Sequence, residues 1–425
     1  MERLLVPTAA GPIDGVVDVP GSKSIANRAL VCAALADGDS ELQGLPDGDD
    51  TVAMIRCLGA LGAGVSASGG SALVAGTGGQ LRSGPLHLDA ALAGTTSRFV
   101  TAVAALTSGL VTVDGAPPLR RRPMGPLHQA LSALGVGVTT PEGPGTLPVT
   151  LEGPLRRGGD VDLPGDASSQ FLTALMLIAP LLDGGLRIRL TTPLVSMPYV
   201  RLTAAVMAAF GAPSVELTEG VVVVAPGRYA PTRYRIEPDA SSAGYAFAMA
   251  ALAGGRVTAH GLTVASEQAD LAVVDLLAAM GCRVTAGVDV GVERDPSAPL
   301  VGIDADLGDI SDLVPTIAAV AAAATTPSVI RGVGFIRAKE SDRLGDLAGE
   351  LARLGADVTT TADGLRIAPA ALHGAALATH HDHRLAMAFG VLGTVVEGVE
   401  VCDPGVVSKS WPGFWDTHAR LVVQA

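Results

Sequence analysis

Aromatic side chains are scarce in this chain, whose 425 residues include 2 Trp, 4 Tyr and 7 Phe. Hydrophobic residues nevertheless make up 48% of the sequence, so small aliphatic side chains must build the cores. Alanine, valine and leucine, together with 53 glycines, favour helices and strands that pack closely against one another. A chain of this length is expected to form two or three domains with large buried cores.

Cysteine is also sparse, and the four residues lie far apart without the spacing of a metal-binding motif. Buried thiols outside any disulfide are therefore expected, and nothing requires an oxidising compartment. The N-terminus lacks the apolar run of a signal peptide, and no stretch is typical of an uncharged membrane span of about 18 residues. We expect a soluble, cytoplasmic protein that does not bind a membrane.

Positive charge is in deficit, since the formal net charge is −13. Such a balance argues against a general polyanion binder, and the run Arg120-Arg121-Arg122 lacks the interleaved aromatics of a nucleic-acid surface. We expect no nucleic-acid partner. A site for a phosphorylated substrate must then concentrate its cations locally, which makes each cluster of Lys and Arg informative.

An internal repeat organises the chain. Six long apolar stretches each begin with polar residues and end at a turn, and their ends are spaced about 72 residues apart. Those ends lie at Gly38, Gly109, Gly184, Gly254, Pro327 and Gly398. A second, interleaved series of amphipathic segments ends at Gly62, Gly135, Gly211, Gly281 and Gly355 with a similar spacing, and Val-rich segments follow most of them. The pattern predicts six units, each with two helices and a few strands.

The starts of the six apolar stretches indicate anion binding. A helix that is apolar all round is buried, so its N-terminus is the part that reaches a surface. Helix N-termini carry partial positive charge and offer unpaired N–H groups to anions. Arg28, Arg98 and Arg384 lie near such starts, where a cation opposes the helix dipole unless an anion lies between them. Ser, Thr and Asp at these starts also have the simpler role of capping the helix.

A set of short motifs identifies a family. They are Pro20-Gly21-Ser22-Lys23-Ser24 with Asn27-Arg28, Leu92-Ala93-Gly94-Thr95 through Arg98, Arg122-Pro123, Ser168-Ser169-Gln170, Ser196-Met197-Pro198-Tyr199, Asp312, Lys339-Glu340-Ser341-Asp342-Arg343-Leu344, Asp382-His383-Arg384 and Lys409. Each is weak alone, but in this order they closely resemble the 5-enolpyruvylshikimate-3-phosphate synthase family of enolpyruvyl transferases.

The resemblance implies an α/β fold of two similar domains, each built from three βαβαββ-type repeats in an arrangement like an inside-out α/β barrel. This agrees with the six repeats of about 72 residues seen independently in the sequence. Residues 1–21 and 239–425 are expected to form one discontinuous domain, and residues 22–238 the other. The two crossovers are expected to act as a hinge, with the active site in the cleft between the domains.

The implied reaction moves the enolpyruvyl group of phosphoenolpyruvate to the 5-hydroxyl of shikimate 3-phosphate and releases phosphate. Asp312 is implied as the base and Glu340 as the proton donor to C3, with Lys23 assisting. The phosphoenolpyruvate residues implied are Lys23, Gly94, Arg122, Gln170, Arg343, Arg384 and Lys409. The shikimate 3-phosphate residues implied are Lys23, Ser24, Arg28, Ser168, Ser169, Gln170, Ser196, Asp312 and Lys339. No cofactor, no metal and no partner other than these small molecules is implied, and the protein is expected to be a monomer.

Three alternatives and three departures accompany this prediction. The alternatives are a paralogue acting on a modified shikimate, a transferase acting on a UDP-amino sugar, and a non-catalytic repeat scaffold. Transferases that act on a UDP-amino sugar usually have Cys within the segment that corresponds to residues 114–123 and Asn after the N-terminal Lys. This chain has no Cys in that segment and has Ser24 after Lys23.

The departures from the family pattern are Leu92, Phe99 and Phe335, which replace an Asn, a Pro and a polar residue that are common in the family.

Overall fold

The computed structural model describes residues 2–423 of the chain. It divides into two compact units, which we call the inner unit, Gly21–Ile236, and the terminal unit, Met1–Pro20 with Glu237–Ala425. No helix within the described residues is long and apolar enough to cross a membrane.

One sheet illustrates the repeat. Strand Leu86–Asp89 pairs in parallel with Gly109–Asp114, whose other edge pairs antiparallel with Val149–Gly153; Gly137–Thr139 completes the sheet. Helix Gly94–Ala104 connects the two parallel strands, as a parallel crossover requires. The order is therefore first, second, fourth, third strand within the repeat, and three further sheets of the described residues have the same order. A fourth has the same arrangement, except that its first position is taken by a strand from later in the chain.

The inner unit contains three such repeats. Its helices are Lys23–Leu35, Asp49–Ala60, Gly94–Ala104, Pro117–Arg120, Gly125–Ala133, Ser169–Ile178, the 3-10 turn Ala179–Leu181, and Met197–Ala209. Its strands are Asp39–Gln43, Gly64–Ser68, Ser71–Ala75, Leu86–Asp89, Gly109–Asp114, Gly137–Thr139, Val149–Gly153, Arg157–Leu163, Asp183–Leu190, Val215–Thr218, Val221–Val224 and Arg233–Arg235.

The terminal unit contains the other three repeats. Its helices are Ala240–Ala253, Ala269–Ala272, Val273–Ala279, Gly308–Leu313, Val314–Ala322, Gly334–Ala338, Gly345–Arg353, His383–Gly393, Pro404–Lys409 and Phe414–Val423. Its strands are Arg3–Leu5, Ile13–Val17, Gly255–Ala259, Arg283–Ala286, Val290–Arg294, Asp304–Asp306, Ser328–Arg331, Asp357–Thr360, Leu365–Ala368, Ala376–Ala378 and Glu400–Cys402.

Three sheets include a strand from a distant part of the chain. Arg233–Arg235 pairs in parallel with Asp39–Gln43 and so supplies the first strand of the inner unit's first repeat. Ile13–Val17 pairs in parallel with Gly255–Ala259 and does the same in the terminal unit. The last sheet departs from the pattern, because it has three strands and its antiparallel edge is Arg3–Leu5.

The six predicted buried helices form the two cores. In the inner unit, Lys23–Leu35, Gly94–Ala104 and Ser169–Ile178 contact one another, and nearly all their side chains are buried. In the terminal unit, Ala240–Ala253, Val314–Ala322 and His383–Gly393 do the same. Small side chains let these helices approach closely, which explains how a chain poor in aromatics fills its cores. The predicted α/β fold of six repeats is confirmed.

The ends of the amphipathic helices and the start of the fifth buried helix can be compared with the sequence prediction. The amphipathic series ends at Gly62, Gly135, Gly211, Gly281 and Gly355, and all five adopt positive φ between 76° and 114°, as a helix-terminating glycine does. For the fifth apolar stretch, the sequence predicts a buried helix that starts at Ser311-Asp312 and stops near Pro327. It instead begins with the 3-10 segment Gly308–Leu313, which is kinked at Ile310, and the α-helix runs only from Val314 to Ala322.

Candidate active site

The predicted site residues lie mainly at the starts of helices. In the inner unit they are Lys23, Ser24, Arg28, Gly94, Arg122, Ser168, Ser169, Gln170 and Ser196. In the terminal unit they are Asp312, Lys339, Glu340, Arg343, Arg384 and Lys409. Lys23, Gly94 and Ser169 are the first residues of buried helices, and Arg384 is the second residue of another. Their backbone N–H groups therefore add to an electropositive environment.

Lys23 pairs with a carboxylate that the sequence did not single out as a site residue. Its Nζ lies 3.2 Å from Oδ2 of Asp50, whose side chain is only 4% exposed. Asp50 stands in the first turn of helix Asp49–Ala60, where a negative charge is favourable, and the sequence indicates no more than a cap there. Thr96 donates a hydrogen bond to the Asp50 carbonyl, which joins this helix to the start of helix Gly94–Ala104.

Gly94 is covered by the guanidinium of Arg122. A Cβ built on Gly94 would lie 2.6 Å from Cζ and 2.9 Å from Nη2 of Arg122, so a methyl group there cannot coexist with this side-chain position. Arg122 is 8% exposed. The structure thus brings together two of the predicted phosphoenolpyruvate residues, and glycine is required for their contact. Leu92, one of the three departures, is 42% exposed beside this position.

Arg28 is held by several groups of the protein. Nε donates to Thr203 Oγ1 at 2.8 Å, Nη1 to the Ser24 carbonyl at 2.7 Å, and Nη2 to the Tyr199 carbonyl at 3.2 Å. Its Cζ also lies 5.6 Å from the ring centre of buried Phe99, so this departure supplies a cation–π contact. Burial lowers the pKa of Arg28 to about 10, which leaves it charged at neutral pH.

The segment Ser168-Ser169-Gln170 begins a buried helix. Ser168 is the N-cap, and its Oγ accepts the N–H of Gln170. The side-chain oxygen of Gln170 accepts a hydrogen bond from Arg98, whose guanidinium also stacks 5.1 Å from the Phe171 ring centre. The sequence places Arg98 in a family motif and near a helix start, but its contact with Gln170 depends on tertiary packing.

Ser196 is held in a strained backbone conformation. It is the N-cap of helix Met197–Ala209 with φ 58° and ψ 48°, in the left-handed region that serine rarely adopts. The residue is 5% exposed. Such strain in a non-glycine residue is often associated with functional sites, which fits the role predicted for Ser196.

A dense ionic cluster occupies the terminal unit, centred on Arg343. Arg343 is 1% exposed. Its Nη1 lies 3.0 Å from Asp312 Oδ1, its Nη2 lies 2.6 Å from Glu340 Oε2, and its Nε lies 2.6 Å from Asp382 Oδ2. One guanidinium therefore contacts both the predicted base and the predicted acid. Asp382, which is fully buried, also caps helix His383–Gly393 by accepting the N–H of Arg384.

The cluster keeps Arg343 charged despite its burial. Burial alone lowers the pKa of this guanidinium, but Asp382, Glu340 and Asp312 raise it above its ordinary value. A buried charge without such partners would cost several kcal/mol. Three carboxylates thus surround one cation. Two further cations, Arg384 and Lys339, adjoin the same cluster.

Asp312 is shared among the three cations. Arg384 Nη2 lies 2.7 Å from its Oδ2, and Lys339 Nζ lies 3.7 Å from its Oδ1. Lys339 also lies 5.9 Å from the ring centre of Phe335, which is the third departure from the family pattern. Lys409 is 6% exposed at the end of the turn Pro404–Lys409, which packs against helix His383–Gly393.

The two histidines that precede Asp382, His380 and His381, each contact a carboxylate. His380 Nε2 lies 3.0 Å from Glu350, and His381 Nδ1 lies 3.6 Å from Asp403. Within residues 2–423, no three His, Cys, Asp or Glu side chains are arranged to hold a metal ion.

Three comparisons with known proteins agree. The family model described as EPSP synthase (3-phosphoshikimate 1-carboxyvinyltransferase) matches residues 7–418. The chain is 39% identical to the 3-phosphoshikimate 1-carboxyvinyltransferase of Trichormus variabilis, over 100% of both chains. It is 42% identical to that of Methanosphaerula palustris, over 96% of this chain and 97% of the relative. The solved EPSP synthase of Acinetobacter baumannii is 25% identical with a TM-score of 0.83, covering 99% of this chain and 98% of its own. The chain therefore belongs to the EPSP synthase family.

Proposed function

We propose that the chain transfers the enolpyruvyl group of phosphoenolpyruvate to the 5-hydroxyl of shikimate 3-phosphate, as a transferase of the shikimate pathway. The observation that carries this proposal is the position of Arg343, which contacts both Asp312 and Glu340. The reaction needs one group to remove a proton from an alcohol and another to protonate a carbon, and the cluster holds two carboxyl groups on one buried cation.

Asp312 and Glu340 divide the proton transfers. Asp312 removes the 5-hydroxyl proton while that oxygen bonds to C2 of phosphoenolpyruvate, and Glu340 protonates C3. The C2–O bond to phosphate then breaks, a C3 proton returns to Glu340, and the double bond reforms as the hydroxyl proton leaves with phosphate. Acid–base catalysis of this kind contributes about 10²–10⁴-fold for each group. Lys23 stabilises the charge that develops on the substrates.

Substrate binding exchanges the partners of the cations. The two substrates carry about six negative charges, in two phosphate and two carboxylate groups. Arg343 and Arg384, with Lys23, Gly94, Arg122, Gln170 and Lys409, bind phosphoenolpyruvate. An anion that takes Arg384 away from Asp312 frees the carboxylate oxygen that Arg384 Nη2 contacts at 2.7 Å. Binding of phosphoenolpyruvate therefore prepares the base to accept a proton.

Shikimate 3-phosphate is bound by hydroxyl, amide and cationic groups. They are Lys23, Ser24, Arg28, Ser168, Ser169, Gln170, Ser196, Asp312 and Lys339. Hydroxyls and amides suit the polyol ring, and the helix starts at Lys23 and Ser169 suit the phosphate. The proposal requires residues of both units to reach one pair of substrates, with the two chain crossovers acting as a hinge. We further propose a cytoplasmic monomer without a metal, cofactor, nucleic-acid or membrane partner.

One assay tests this function. Purified protein is incubated with shikimate 3-phosphate and phosphoenolpyruvate in excess chelator, and phosphate release is followed together with formation of the enolpyruvyl ether. Equal turnover with and without chelator is expected. Absence of turnover, or faster turnover with a modified shikimate or a UDP-amino sugar, contradicts the proposed substrate. Turnover that stops in chelator contradicts the metal-free mechanism.

A further inference from the structure

The segment that leads to Arg122 is anchored by an ionic clamp formed by Arg120, Asp114 and Glu142. Arg120 Nε and Nη2 lie 2.9 and 2.7 Å from the two carboxylate oxygens of Asp114, a bidentate pair. Its Nη1 donates to Glu142 at 3.0 Å. The hydrogen bonds that Arg120 donates to Asp114 raise the pKa of Arg120 above its ordinary value. One side chain thus connects the end of strand Gly109–Asp114 to the loop that contains Glu142.

The same segment is fixed at its beginning. Asp114 Oδ1 accepts the backbone N–H of Gly115 at 2.7 Å, and Arg120 Nε also donates to the Gly115 carbonyl at 3.1 Å. Ala116 N–H donates to the Ala91 carbonyl at 2.8 Å. Ala91 has φ 50° and stands three residues before Gly94, so the segment that the clamp holds is bonded to the turn that carries Gly94.

Arg122 follows Arg120, the central residue of the clamp, by two positions in the sequence. Its N–H donates to the Leu119 carbonyl at 3.0 Å, and its guanidinium covers Gly94. Arg120 and Arg122 therefore have separate tasks, although they are nearly adjacent in sequence. Arg121, between them, is exposed.

We propose that the bidentate Asp114–Arg120 pair is a positioning element for Arg122 and thereby sets the affinity for phosphoenolpyruvate. This proposal rests on the proposed function, in which Arg122 binds that substrate. The pair is partly buried, with the Arg120 side chain 35% and the Asp114 side chain 16% exposed. Its bidentate geometry fixes the orientation of both side chains, and so it holds the segment that leads to Arg122 in one place. The clamp fixes both the segment before Arg122 and the turn before Gly94.

The test uses Asp114→Asn in the full chain. This substitution keeps the shape of the side chain but removes its charge and one of the two acceptors for Arg120. The KM for phosphoenolpyruvate should rise by about three- to tenfold, well below the roughly 100-fold that a misplacement of about 1 Å can cost. The KM for shikimate 3-phosphate, kcat at saturation and the melting temperature should stay near wild-type values.

Two controls isolate the clamp. Glu142→Gln removes only the charge of the outer contact of the clamp, where the Glu142 side chain is about half exposed. It should change the KM for phosphoenolpyruvate less than Asp114→Asn does. In an Arg122→Gln background the effect of Asp114→Asn should largely disappear, because the residue that it positions is gone. An undiminished effect in that background, or equal increases in both KM values, would overturn the proposal.

A second readout does not depend on catalysis. In hydrogen exchange of the protein without substrates, Asp114→Asn should accelerate exchange of the amides of residues 115–122 and leave helix Gly94–Ala104 unchanged. Unchanged exchange in residues 115–122 would also overturn the proposal. Wild-type turnover measured in the same series tests the proposed function separately, so the two failures are distinguishable.

Discussion

Two arginines of the terminal unit and two of the inner unit are held in different ways. In the terminal unit, Arg343 and Arg384 contact carboxylates at 2.6–3.0 Å, and Asp312 is shared between them. In the inner unit, Arg28 is held by a hydroxyl, two backbone carbonyls and the face of an aromatic ring. Arg98 is likewise held by an amide oxygen, a carbonyl and a ring.

This difference separates two tasks. A cation held by neutral groups keeps its full charge available to a substrate anion and places that charge firmly. A cation held by carboxylates can exchange them for substrate anions, and the exchange changes the environment of groups that transfer protons. We therefore expect substitutions around the arginines of the inner unit to affect mainly substrate affinity, and those in the terminal cluster to affect mainly turnover.

The largest effect is expected for Asp312→Asn in the terminal cluster. The amide cannot accept the hydroxyl proton, so turnover should fall by about 10²–10⁴-fold. Phosphate release at saturating substrates measures the loss, and thermal unfolding checks that the protein stays folded. Asp309→Asn is a matched control, because Asp309 lies in the same 3-10 segment but is exposed, and it should retain activity. Near-normal turnover of Asp312→Asn would show that another group is the base.

An intermediate effect is expected for Gly94→Ala in the inner unit. The added methyl group displaces the Arg122 guanidinium, since that flexible side chain must move rather than the backbone. The KM for phosphoenolpyruvate should rise by about tenfold, the loss of roughly one charge-assisted hydrogen bond, while kcat changes little. Gly59→Ala is the control, because a Cβ at Gly59 meets no atom within 4 Å. An unchanged KM would mean that Arg122 does not bind this substrate.

The smallest effect is expected for Phe335→Leu. Losing the ring removes the cation–π contact with Lys339, which is worth about 0.5–1 kcal/mol at a partly exposed site. The KM for shikimate 3-phosphate should rise by about two- to fivefold, whereas Phe335→Tyr, which keeps a ring, should behave like the wild type. Steady-state kinetics with that substrate varied make the measurement. Equal values for both variants would show that the ring does not position Lys339.

The fold was largely predictable from the sequence because each unit repeats the same local signals. Buried helices with polar starts, and amphipathic helices with a terminal glycine such as Gly62, recur at a regular spacing. The 3-10 start at Gly308 was not predictable in this way. Its sequence, Gly308-Asp309-Ile310-Ser311-Asp312-Leu313, looks like a capped helix start, and only the structure shows the kink at Ile310.

The candidate site was predictable as a set of residues but not as a set of contacts. Motif order named Lys23 and Arg122, yet nothing in the sequence places Asp50 on Lys23 or Asp114 on Arg120. These pairs join residues 27 and 6 positions apart, through packing of separate elements. The structure also explains two of the departures, because Phe99 and Phe335 each face a site cation. The exposed Leu92 has no such explanation.

The central claim is that the inner unit mainly sets substrate affinity and the terminal cluster mainly sets turnover. Single-turnover phosphate release at saturating substrates tests this claim most directly. The rate is measured for the wild type, Asp312→Asn and Gly94→Ala in one series. Because Gly94→Ala weakens binding alone, its rate should recover to within about twofold of the wild type at saturation, whereas Asp312→Asn should remain at least about 100-fold slower. A Gly94→Ala rate that stays low at saturation, or an Asp312→Asn rate that recovers, would contradict this division.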